Sequence, residues 1–80
     1  MKIVSISEII DLNNILNENQ IHYKVHLSDA CGGQSFWLEN LDTNQEKGME
    51  DIIRIIDTFF EEKRIPIQYS ENKMSFWTVR

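Results

Sequence analysis

Cys31 is the only cysteine in the chain. It sits in Asp29-Ala30-Cys31-Gly32-Gly33-Gln34, with His26 five residues upstream. A thiol near an imidazole and a carboxylate is the smallest set that makes a thiolate nucleophile or part of a soft metal site, because the thiolate is the reactive and ligating form. Gly32 and Gly33 lack a Cβ, so the chain can turn through positive φ and a ligand or a second backbone can approach the sulfur. His26, Asp29, Cys31, Gly32 and Gly33 are therefore the candidate thiol or metal loop. The same residues have a plainer reading, in which Gly32-Gly33 is only a turn and Cys31 a small packing residue, as free cysteines usually are. His26, Asp29 and Cys31 offer at most three ligands, and no standard zinc spacing is present. His22 shares a strand face with His26 but lies about 13 Å away along a straight strand, too far to share one ion. No orienting group or oxyanion site for a Cys31 and His26 nucleophile can be named from the sequence, so the enzyme question stays open and leans to none.

The elements that must position this loop read as a hairpin. Ile21, Tyr23, Val25 and Leu27 occupy every second position, with His22, Lys24 and His26 between them, the period of a half-buried strand. Phe36 and Leu38 resume that pattern with Trp37 on the opposite side, so the two runs are expected to pair across residues 29–34. Upstream, Lys2-Ile3-Val4 reads as a short edge strand or the approach to a helix. Ser5-Ile6-Ser7-Glu8 fits a capping box, and Ile9, Leu12 and Leu16, flanked by Ile10 and Ile15, form the stripe of the helix that follows. Asn19 is a candidate for the left-handed residue that ends it.

Downstream, residues 40–47 are polar and turn-like, and Gly48 precedes the strongest helical pattern: Met49, Ile52, Ile53, Ile56 and Phe60, with Ile55 and Phe59 alongside. Glu50 and Arg54 stand at the favourable i, i+4 spacing. Pro66 excludes helix, Ile65, Ile67 and Tyr69 alternate as an edge strand, residues 70–73 form a turn, and residues 74–79 make the last strand.

The two halves echo each other. Glu8-Ile9-Ile10 matches Asp51-Ile52-Ile53, Ile21 matches Ile65, and Ser35-Phe36-Trp37 recurs as Ser75-Phe76-Trp77. Accident and duplication both account for so short a repeat, but either way the order supports one fold. That fold is α+β, a two-layer sandwich of (β)αββαββ order, with a mostly antiparallel sheet and both helices on one face, in a single domain spanning residues 1–80. With Tyr23, Val25, Phe36, Ile67 and Phe76 under the helices, the other face displays His22, Lys24, His26, Trp37, Gln68, Trp77 and Val79. Trp37, Trp77 and His22 are the candidate interface, since exposed tryptophan clusters mark binding surfaces unless something in the monomer covers them.

Composition narrows the partners. Eighty residues bury only about 60% of the unfolded surface, which makes a homodimer or a protein partner a natural source of added stability. The formal net charge of −5 argues against nucleic acid, whose binding rests on clustered Lys and Arg. One cysteine permits no internal disulfide, and no signal peptide or long apolar run is apparent, so a cytoplasmic protein that does not enter a membrane is expected.

The segment Tyr23-Lys24-Val25-His26-Leu27-Ser28-Asp29-Ala30-Cys31-Gly32-Gly33-Gln34-Ser35-Phe36-Trp37 resembles the core of a small bacterial family named for an Arg-Asp-Ala-Cys (RDAC) motif, with Ser28 in the place of the arginine. That family has no assigned activity to lend. Residues 1–39 also resemble the first half of HesB-like iron-sulfur carrier proteins, which run strand, helix, strand and a cysteine-glycine hairpin. The resemblance implies a cluster ligand at Cys31, whereas the two C-terminal cysteines of those carriers have no counterpart here. Two functions follow as expectations. The first is a non-enzymatic interaction or assembly module using the exposed sheet face or a strand edge. The second is a thiol, metal or iron-sulfur accessory protein acting through Cys31, with no cofactor as the simpler expectation.

Overall fold

A computed structural model describes residues 3–30, 33–41 and 48–79. The elements run α1 (Ile6–Glu18), β1 (Tyr23–Ala30), β2 (Gly33–Asn40), α2 (Met49–Glu62), β3 (Ile67–Tyr69) and β4 (Ser75–Thr78). The fold is α+β, with two helices and one four-stranded antiparallel sheet of order β1-β2-β4-β3.

Local chemistry explains both helices. Ser5 caps α1, with its Oγ accepting the Glu8 N–H at 3.2 Å while the Glu8 carboxylate accepts the Ser5 N–H at 3.0 Å, which satisfies two otherwise orphaned donors. Helix α1 buries Ile9, Leu12 and Leu16, and α2 buries Ile52, Ile56, Phe59 and Phe60. The left-handed residue that ends α1 is Gln20, at φ 60°, not Asn19, which stays at φ −91°. The reason is a Schellman turn, in which the Gln20 N–H donates to Asn17 O and the Ile21 N–H to Leu16 O, placing the left-handed residue one past the cap. Helix α2 ends in the same way. Arg64 has φ 59°, its N–H donates to Glu61 O, and the Ile65 N–H donates to Phe60 O.

These turns shorten the strands expected from alternation. Ile21 and Ile65 are not the first strand residues but the buried residues that close the two turns, so β1 begins at Tyr23 and β3 at Ile67. Residues 3–5 form no strand. Instead, the Gln34 side-chain amide does what a neighbouring strand would do, accepting the Val4 N–H and donating to Val4 O, both at 2.8 Å. Arg54 pairs with Asp51 at 2.9 Å rather than with Glu50. On an exposed helix such a pair contributes little.

The core lies between the sheet and the helices. Phe36 and Phe76, on adjacent strands, stack at 4.8 Å, and Phe60 of α2 packs on both at 5.7 and 5.6 Å. Val4, Val25, Leu38, Ile21 and Ile65 complete it, and no polar or charged side chain is fully buried among the described residues. On the α2 side, the Tyr69 hydroxyl donates to Asp57 Oδ1 at 2.7 Å. Burial first, and then the Asp57 carboxylate, push the Tyr69 pKa up.

Candidate functional site

Both helices pack on one side of the sheet, so the other side has no covering element among the described residues. Alternation along the strands sends Lys24, His26, Trp37, Glu39, Gln68, Ser75 and Trp77 to that side, as the two-residue period requires. Trp37 is 44% exposed and Trp77 37%, beside Val79 at 38%. The register puts them at equivalent positions in the sheet. Trp37 has His26 across from it on β1 and Ser75 on β4, while Trp77 has Gln68 on β3 and Ser35 on β2.

His26 is fixed from two sides. Its ring lies on Trp37 with centroids 4.1 Å apart and planes 15° from parallel, and its Nε2 meets Glu39 Oε1 at 2.8 Å. Glu39 stands two residues beyond Trp37 on the same face, opposite Lys24 and diagonal to His26. It was not singled out in the sequence because its partner depends on hairpin register. The register that pairs Ala30 with Gly33 places Trp37 opposite His26, and alternation alone does not set the loop length.

The pairing of β1 with β2 runs to Ala30 and Gly33, beyond the break expected at residues 29–34. Asp29 is a strand residue opposite Gln34. Cys31 and Gly32 lie outside the described residues, so the candidate loop is placed only by its flanks. His26 stands four residues before the end of β1, about 13 Å along an extended strand, and its partners are Trp37 and Glu39. His22 is exposed just before β1, where its carbonyl accepts the Leu41 N–H at 2.8 Å. Among the described residues, no group of three or more His, Cys, Asp or Glu could hold a metal ion.

Two further features escaped the sequence. Asn13 of α1 reaches the outer edge of β1, accepting the Val25 N–H at 2.7 Å and donating to Val25 O at 3.1 Å. A helix-disfavoured Asn in mid-helix was the available signal. Ile3, Ile6 and Ile10 form an exposed apolar line, 54–73% accessible, where Ile10 was expected to flank the core stripe. A hollow of about 590 Å³ beside α2 is lined by Met49, Ile53, Arg54, Asp57, Glu61 and Lys73. With Glu50 also on its wall, three carboxylates and two cations line it, so both charge signs are present.

These features define a two-layer α+β domain with an open aromatic sheet face. No protein-family model, curated protein or solved structure matches the chain. No described helix is long and apolar enough to cross a membrane.

Proposed function

We propose that this domain is a non-enzymatic interaction module that engages a protein partner through the uncovered sheet face around Trp37 and Trp77. The observation that carries the reading is the exposure of two tryptophans on one side of a sheet whose other side holds the core. Tryptophan is enriched among the residues that dominate binding energy, because its large rigid ring loses little conformational freedom when covered. The polar groups around them, His26, Ser35, Gln68 and Ser75, suit a surface that must be wet when free and paired when bound. The acidic balance of the chain argues against nucleic acid as the occupant, and its single cysteine suits a cytoplasmic setting.

The test is a photoreactive p-benzoylphenylalanine placed at Ser75 in cells, with the same group at Glu61 on α2 as the control. Discrete adducts from position 75 that disappear in the Trp37→Ala, Trp77→Ala double variant are expected. No adduct at 75, or adducts indifferent to the tryptophans, would refute the reading.

A further inference from the structure

Resting on that reading, we infer that the occupant of the open sheet face is a second copy of this chain, seated sheet against sheet about a two-fold axis. The first argument is symmetry. Across β2 and β4 the pairs are Ser35 with Trp77, Phe36 with Phe76, and Trp37 with Ser75. The repeated tripeptide thus meets its own copy about a local two-fold axis through the Phe36 and Phe76 pair, perpendicular to the sheet. The outer strands obey the same axis, since His26 opposes Trp37 and Gln68 opposes Trp77. A two-fold dimer interface joins the same patch on both subunits and so must match itself. On a face already symmetric about its normal, an in-plane two-fold axis that seats Trp37 against the partner copy seats Trp77 equivalently. All four rings of the pair are then used in one arrangement.

The second argument is charge. The chain carries a formal net charge of −5, and α2 holds Glu50, Asp51, Asp57, Glu61 and Glu62. Two copies meeting through their helical layers would bring like charges together, at a cost in both affinity and encounter rate. On the sheet face Lys24 stands directly across from Glu39, so that face is close to balanced, and docking through it leaves the acidic helices in water.

The third argument is size. Strands of eight, eight, three and four residues span a flat footprint of about 360 Å² at ordinary strand spacing and rise. Side chains raise the accessible area above that figure, toward the roughly 800 Å² per partner of a standard interface. A face below the standard size suits a weak, reversible dimer.

The experiment is sedimentation equilibrium on the full chain from about 1 μM to about 1 mM, the range over which such a dimer forms. Circular dichroism confirms that each variant is folded. The wild type is expected to pass from one chain to two, with its tryptophan emission shifting to the blue. Ser75→Arg, which places a cation beside Trp37 without touching the core, is expected to weaken association by about tenfold or more. Ile6→Glu, on the exposed flank of α1, is expected to leave it unchanged. A wild type that stays single throughout overturns the second copy. If position 75 still cross-links to another protein in cells, the interaction reading survives that result. A dimer that resists Ser75→Arg but is broken by Ile6→Glu overturns the proposed arrangement, as does quenching of the tryptophans in a single chain by an oligothymidine.

Discussion

His26 lies flat on Trp37, with ring centroids 4.1 Å apart, while its Nε2 holds Glu39 at 2.8 Å. The imidazole thus covers one side of the Trp37 indole, and the carboxylate keeps it there. Removing it in His26→Ala should cost about 0.5–1.5 kcal/mol, the ordinary value of an aromatic pair, and shift tryptophan emission to the red. Gln68→Ala, at the equivalent position beside Trp77, removes no aromatic ring and should stay within about 0.5 kcal/mol of wild type. Equal effects of the two changes on emission and urea stability would remove the special place given to His26.

Asn13 closes part of the outer edge of β1 by pairing with both backbone groups of Val25. In Asn13→Ala those half-buried groups lose their partner, at an expected cost of about 1–3 kcal/mol. The freed edge also becomes a template for another strand. Urea unfolding should record the first effect and thioflavin-positive aggregation at high concentration the second. Asn14→Ala, one residue along and exposed, is the control expected to do neither.

Gln20 and Arg64 hold left-handed conformations at the ends of the two helices, a region that disfavours any side chain with a Cβ. Gln20→Gly and Arg64→Gly should each raise stability by about 0.5–1 kcal/mol, because relief of that strain exceeds the added freedom of glycine in the unfolded chain. A lower urea midpoint in both variants would show that the side chains matter more than the backbone at these turns.

Glu8 sets an acid dependence. Its carboxylate accepts the Ser5 N–H and pairs with Lys63 at 3.0 Å, and chiefly through the first of these its pKa falls below the ordinary 4.5. The folded state therefore binds the proton less readily than the unfolded state. The stabilisation is fully present above the unfolded pKa and is lost as pH drops through the folded one. In urea titrations from roughly pH 6 to about pH 3, the gap between wild type and Glu8→Gln should close toward the acid end. A constant gap would mean that the carboxylate contributes through shape alone.

Much of this architecture was legible in the residues themselves. The capping box of Ser5 and Glu8, the stripes of both helices and the strand alternation are local patterns, and local periodicity decides which side of an element is apolar. The same period puts His26, Trp37 and Trp77 on one face, whereas His22 lies just before β1. What the sequence left open depends on how distant segments meet. Placing β4 beside β2 brings the two Ser-Phe-Trp stretches together, and the hairpin register gives His26 its Glu39. Side chains of Asn13 and Gln34 serve as surrogate strands for Val25 and Val4. The same closure sets the left-handed residues at Gln20 and Arg64, because a Schellman turn is held by the packing of Ile21 and Ile65 into a core that exists only once both halves are assembled. Periodicity fixes which side of each element is apolar, but strand order and register are settled by the free energy of closing loops against burial across the whole core, which no single stretch of residues contains.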